Sequence, residues 1–151
     1  MKILVLNGPN LNMLGLREPE LYGRGTYGEL VDFIRRVAAE CGVDVEVRQS
    51  NHEGDLVDWI QECPGKFDAL VLNAAAYTHT SVAILDAVKA VRVRTAEVHL
   101  TEPKEREEFR RVSYVGMAAE RTFSGRGFES YADAIRTFRR RWRHDATTAW
   151  I

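Results

Sequence analysis

KILVL (Lys2–Leu6) runs apolar without a break from Ile3 onward and then stops at Asn7-Gly8-Pro9-Asn10. A strand with one wet face alternates polar and apolar residues, whereas an unbroken short run is what a strand covered on both faces requires. ALVL (Ala69–Leu72) has the same character and stops at Asn73. Both read as central strands. Around them, Val43, Val45 and Val47 alternate with Asp44, Glu46 and Arg48, the pattern of a strand with one wetter face. AEVHL (Ala96–Leu100) is a fourth candidate and Glu120–Phe123 a weaker fifth.

Helical periods fill the gaps between these runs. Thr26 and Glu29, in TYGE, have capping-box spacing ahead of Leu30, Phe33, Ile34, Val37 and Cys41, and Gly42 follows as a stop. Weaker helical patterns cover Asp55–Glu62, Ser81–Val91 and a short Pro103–Arg110, and a final one runs from Glu129 to Arg143. Strands alternating with helices imply a parallel sheet covered on both faces. The expected fold class is α/β, a flavodoxin-like doubly wound five-stranded parallel sheet of strand order 2-1-3-4-5.

A chain of 151 residues has the commonest size of one domain and buries roughly 70% of its unfolded surface. A single domain over 1–151 is expected, with about 144–151 as a mobile or intersubunit tail. The 45% hydrophobic and 28% charged content and net charge of −1 give no reason to expect nucleic acid or an anionic membrane. No signal peptide pattern and no apolar stretch near the ~20 residues of a membrane span is present, so the expected location is cytoplasmic. Cys41 and Cys63 stand apart from any CxxC or Cys/His cluster and read as small hydrophobes rather than disulfide or metal ligands. The arginine-rich RTFRRRWRHD (Arg136–Asp145) has Phe138 and Trp142 at helical spacing and reads as a solvated helix face. His52 and His144 have no partners in sequence.

In open α/β sheets ligands bind beyond the carboxyl ends of the strands, near the switch in strand order. Asn7 and Asn10 follow the first strand, NAAAYTHTS (Asn73–Ser81) the third, and Glu97, His99 and Thr101 stand at the fourth. Three amides, two histidines and a carboxylate therefore converge on one crevice. GRGTYG (Gly23–Gly28) formally matches a dinucleotide fingerprint, but its glycines begin some fifteen residues after the first strand, and no acidic residue ends the second. Asn7 and Asn73 stand where a phosphoacceptor module needs acids, and no GxxxxGK[ST] loop is present. The remaining polar segment, REPELYG (Arg17–Gly23), contains a turn-favouring proline that lets Arg17 fold back toward Tyr22. A fixed cation beside a phenol favours the phenolate, a conceivable general base. Glu97 and His99, two apart on a strand, share a face, so the carboxylate orients the imidazole and supports its protonated form.

NGPNLNMLGLREPELYG (Asn7–Gly23), NAAAYTHTSVAILDA (Asn73–Ala87) and EVHLTEPKEREEFRRVSY (Glu97–Tyr114) together resemble the type II 3-dehydroquinate dehydratase family, the cofactor-free dehydroquinases. The resemblance implies reversible dehydration of 3-dehydroquinate, an anionic small molecule, to 3-dehydroshikimate in the shikimate or quinate pathway. It implies an enolate intermediate, no cofactor, no metal, and a homo-oligomer, a dodecamer built from trimers. Position by position, it makes Tyr22 the base, Arg17 the cation that keeps it ionised, and Asn10 an enolate contact through a bound water. His99 becomes the acid and Glu97 its orienting partner. Asn73, His79 and Arg110 match substrate-binding positions, and Thr101 with Leu100 and nearby backbone N–H groups matches the carboxylate site. The Leu6–Thr26 stretch then divides into an NGPN turn that carries Asn10 and a lid, hinged at glycines, that carries Arg17 and Tyr22.

The chain departs from that pattern in three places. Ala75 stands near a usual glycine, Thr101-Glu102 replaces a usual Ser-Asn pair, and the segment after Gly116 follows the family loosely. Glu102 adds a negative charge beside an expected anion site, which weakens an anionic substrate unless the side chain points away. It keeps open a paralogue that dehydrates an amino-substituted dehydroquinate. A noncatalytic flavodoxin-like binding protein is the alternative from outside the enzymes.

Overall fold

Ile3 to Leu6 are fully buried in the middle of β1 (Lys2–Asn7), which lies between β2 (Asp44–Gln49) and β3 (Ala69–Asn73). The computed structural model describes residues 1–16, 18–22 and 25–148. β4 (Arg94–Val98) pairs with β3, β5 (Arg121–Phe123) pairs with β4, and all pairings are parallel in the order β2-β1-β3-β4-β5. The flavodoxin-like reading is thus correct. The half-exposed β2 is the wetter strand that its alternation indicates.

Period-two geometry sends alternate residues of β1 to opposite faces. Ile3 and Val5 pack with Leu30, Ile34 and Val37 of α2 (Tyr27–Cys41) and with Tyr131, Ile135 and Phe138 of α5 (Glu129–Thr148). Leu4 and Leu6 pack with Leu56 and Ile60 of α3 (Glu53–Gln61) and with Ile84 and Val88 of α4 (Val82–Val91). Each fully buried side chain of this size contributes about 1.5–3 kcal/mol relative to exposure. α1 is the short Pro19–Tyr22 helix. At the start of α2 the Thr26 hydroxyl accepts from Glu29 N–H (3.2 Å) and the Glu29 carboxylate accepts from Thr26 N–H (3.4 Å), the reciprocal capping box that the sequence announces. Among the described residues no helix is long and apolar enough to cross a membrane.

Several boundaries differ from the sequence reading, and two of the differences have a clear physical cause. β4 starts at Arg94 and ends at Val98 instead of covering 96–100. Its opening residues are polar and escape apolar pattern reading. Arg94 is nevertheless held by Glu120 (3.1 Å), and the buried Thr95 hydroxyl donates to Val93 C=O (2.9 Å). His99 N–H still donates to Phe123 C=O (3.0 Å), so the chain stays tied to β5 just past the strand. The expected helix over 103–110 is two 3-10 turns, Pro103–Glu105 and Glu108–Arg110. Its one large apolar residue, Phe109, is 66% exposed, so no buried stripe repays helix nucleation. α5 continues through Thr148. The rest of the expected tail and the side chain of His144 lie outside the described residues.

The ends of β1 and β3 meet tightly. Gly8 N–H donates to Asn73 C=O (2.8 Å), and a Cβ at Gly8 would stand 2.4 Å from Ala74 C=O, so only glycine fits there. Beneath this contact the Tyr131 hydroxyl donates to Asn7 Oδ1 (2.7 Å) and accepts from Asn73 Nδ2 (2.8 Å), all three side chains being buried. Burial pushes the Tyr131 phenol far above its ordinary value, so it stays a neutral donor. Tyr131→Phe strands both amides and should cost about 1–3 kcal/mol, read as a lower urea midpoint at unchanged slope.

Candidate active site

The carboxyl ends of β1, β3 and β4 open onto one pocket. Pro9 and Leu11 line it from the loop after β1, and Asn73, Ala75, Ala76 and His79 from β3 and the turn that follows. His99, Leu100 and Thr101 line it from beyond β4, with Arg106 and Arg110 closing the far side. Of the residues singled out in the sequence, Asn73, His79, His99, Leu100, Thr101 and Arg110 are thus gathered in one cavity. Glu97 lies directly behind His99.

Glu97 is 1% exposed, and its Oε1 is 2.6 Å from His99 Nε2. A carboxylate can only accept, so Nε2 carries a proton and Nδ1 is the ring nitrogen left for the pocket. Ser113 Oγ also donates to Glu97 Oε1, and Thr122 Oγ1 donates to Oε2 (2.7 Å). Burial alone would push the Glu97 carboxyl up. Hydrogen bonding and charge from His99, followed by the two hydroxyls, outweigh it and hold the group below the usual carboxylate range.

Asn73 is oriented at both ends, its Oδ1 accepting from Ala75 N–H (3.1 Å) while Nδ2 donates to Tyr131. One amide N–H remains for a ligand. His79 Nδ1 donates to Val112 C=O (2.7 Å), which leaves Nε2 as an acceptor. Burial, aided by the charges of His99 and Arg110, lowers His79 below its ordinary value despite that hydrogen bond and the Glu97 charge, so it is neutral at neutral pH. Arg110 Nε is 3.0 Å from Glu107 Oε2, an ion pair without an aligned hydrogen bond. The Leu100–Thr101 backbone is held by Gly127 N–H to Leu100 C=O (2.9 Å) and Gly125 N–H to Thr101 C=O (3.1 Å).

Glu102 is turned away from this pocket. Its carboxylate accepts from Ser124 Oγ (2.7 Å) and from Lys104 N–H (3.2 Å). The added charge therefore does not line the pocket. Ala75 takes a left-handed conformation, φ 52°, which accounts for glycine as the usual residue near it. Asn10 is also left-handed, φ 68°, and exposed beside the pocket, with its N–H donating to Asn51 Oδ1 (3.0 Å). The structure thus does not bury Asn10 among the lining residues. Tyr22 ends α1 by its backbone; its side chain, Arg17 and Gly23, and with them the Arg17–Tyr22 pairing, lie outside the described residues.

Sequence reasoning missed Arg106, Tyr131, Ser113 and Thr122. Arg106 stands four residues before Arg110, a spacing that was there to be used. Nothing in the sequence ties Tyr131 to Asn7, 124 residues away. The arginines of the last helix behave as a solvated face: Arg136 pairs with Glu129, Arg141 with Glu120, and Arg139 donates to Cys41 C=O, while Phe138 is buried. Among the described residues no group of three or more His, Cys, Asp or Glu side chains is placed to hold a metal ion.

The sequence profile of the "Dehydroquinase class II" family matches residues 1–139. A 3-dehydroquinate dehydratase of Phenylobacterium zucineum is 53% identical over 133 residues, 88% of this chain and 92% of the relative. "3-dehydroquinate dehydratase 1" of Corynebacterium efficiens is 48% identical over 134 residues, 89% of each chain. The crystal structure of the type II dehydroquinase from Butyrivibrio crossotus superposes with a TM-score of 0.89 at 44% identity, covering 91% of this chain and 96% of that one.

Ala75→Gly should relieve the left-handed strain and stabilise the fold by up to about 1 kcal/mol, read as a raised thermal midpoint. Because Glu97 is held below its reference value of 4.5, its contribution to stability is complete above about pH 4.5 and disappears as pH falls through the lower folded value. Glu97→Gln should therefore be less stable than the unaltered protein by about 1–3 kcal/mol at pH 7, a gap that shrinks in unfolding measurements below about pH 4.5.

Proposed function

The chain belongs to the class II dehydroquinase family and dehydrates 3-dehydroquinate, and we propose that it does so reversibly, as one catalytic domain, through an enolate formed in the pocket described above. The observation that carries this reading is the buried Glu97–His99 pair on a pocket wall shared with Asn73, His79 and Arg110.

Three tasks have to be performed, namely proton removal, enolate stabilisation and leaving-group protonation. Tyr22, as phenolate beside Arg17, takes the C2 proton, and the electron pair moves onto the C3 carbonyl oxygen. Asn10, through a bound water, stabilises that enolate. The pair then returns to form the C1–C2 double bond as the C1–O bond breaks, and His99 gives the departing hydroxyl its proton, releasing water. Tyr22 must lose a proton and His99 regain one before the next turnover, so the net reaction consumes no acid or base.

Support for His99 as acid comes from its bond to the ionised Glu97, which fixes a proton on Nε2 and leaves Nδ1 for the pocket. The neutral His79 with a spare acceptor suits a ring hydroxyl, as does the under-used guanidinium of Arg110. Thr101 and the Leu100 backbone suit the carboxylate. The outward-turned Glu102 favours 3-dehydroquinate itself over an amino-substituted analogue. The reading extends to a cytoplasmic dodecamer built from trimers, acting in the shikimate or quinate pathway.

The test is turnover of 3-dehydroquinate, followed by the absorbance of the conjugated enone. Tyr22→Phe and His99→Ala should each lower kcat by about 100-fold or more. Tight binding without turnover would overturn the enzymatic reading, exclusive use of the amino analogue would shift the substrate, and a fully active Tyr22→Phe would remove the base assignment.

A further inference from the structure

We propose that Ser113, Thr122 and Gly116 form a seat for the Glu97 carboxylate and act as positioning residues for the acid step, working on His99 through Glu97. This rests on the reading of His99 as the acid.

Both oxygens of Glu97 are pinned. Oε1 receives His99 Nε2 (2.6 Å) and the Ser113 hydroxyl, and Oε2 receives the Thr122 hydroxyl (2.7 Å). The Ser113 hydroxyl is itself aimed, because its oxygen accepts from Gly116 N–H (2.8 Å) and its proton is thereby turned to Glu97. Gly116 also supplies clearance: a Cβ there would lie 2.8 Å from Glu97 Oε2 and 3.1 Å from Ser113 Oγ. The parts come from β4, from β5 and from the segment leading into the Val115–Met117 turn, so the seat exists only in the assembled fold.

The seat has a task that orientation by His99 alone does not meet. Behind Glu97 lies a second hollow of about 410 Å³, lined by Glu97 and His99 themselves together with Glu102, Lys104 and Arg111. Ser113, Gly116 and Thr122 line the same hollow, and the two hydroxyls fix the carboxylate at its wall with Oε1 on the imidazole; without them its oxygens are free to turn toward Lys104 and Arg111. The same hydroxyls help to hold the Glu97 carboxyl below its usual range, so the partner of the imidazole stays ionised. The charged or titratable groups around Glu97 are His99, with His79 and Arg110 beyond it on the pocket side, and Glu102, Lys104 and Arg111 on the other.

The experiment compares Ser113→Ala and Thr122→Val with the conservative Ser113→Thr and Thr122→Ser in the full chain, using 3-dehydroquinate turnover across pH and carbon-13 titration of the Glu97 carboxyl. Ser113→Ala and Thr122→Val should each lower kcat about tenfold with KM changed less than about twofold. The Glu97 titration and the acid limb of kcat should both move to higher pH, because each variant removes a donor to the ionised form. The conservative variants, which keep a hydroxyl, should restore both. Unmoved kcat and titration in Ser113→Ala and Thr122→Val would overturn the proposal. So would equal losses in the conservative variants with a lowered thermal midpoint, which mark a merely structural role. If His99→Ala keeps full activity, the acid assignment fails instead, and the carboxyl titration still reports on the seat.

Discussion

The Tyr131 hydroxyl hydrogen-bonds Asn7 and Asn73 where β1 and β3 end side by side, and the pocket is built on that junction. Parallel pairing puts Asn7 opposite Asn73 and buries both amides, so each needs a partner inside the protein. A hydroxyl donates once and accepts, which is what one amide oxygen and one amide N–H require. It reaches them from the last helix. The chain's final element is thereby locked to its first strand, and Asn73 is presented to the pocket in one orientation. Leaving either amide unpaired costs about 1–3 kcal/mol, a sizeable part of a domain's net stability.

Much of this architecture was legible beforehand because hydrophobic pattern carries it. The runs in β1 and β3 mark strands covered on both faces, and their paired exits at Asn7 and Asn73 mark the edge where a ligand binds. The capping box at Thr26 and Glu29 is local chemistry and read correctly. The start of β4 was not legible, since Arg94 and Thr95 are held by Glu120 and by a backbone carbonyl rather than by apolar packing. Tyr131, Ser113 and Thr122 escaped for a related reason. Their hydroxyls act across long sequence separations, and no periodicity marks a tyrosine that faces an amide or a serine that faces a carboxylate.

The departures from the family pattern divide by physical effect. Ala75 keeps the left-handed backbone that glycine adopts without strain, so the local shape survives at an energetic cost. Glu102 keeps its charge out of the pocket by giving its oxygens to Ser124 and the Lys104 N–H. Each change is absorbed where it occurs. Thr101 stays in the lining, and its backbone keeps its bond to Gly125.

The capping box has a further consequence for the start of α2. Thr26 and Glu29 satisfy each other's backbone N–H groups, so the first turn of α2 draws these bonds from within itself and not from the chain that precedes it. Gly25 marks the limit, since a Cβ there would stand 2.6 Å from the Phe128 ring. The cap thus stands apart from the residues just before Gly25, although Leu11 and Leu14 farther upstream pack into the same core as α2. An α2 N-terminus that caps itself therefore keeps its first turn whatever conformation the preceding chain takes.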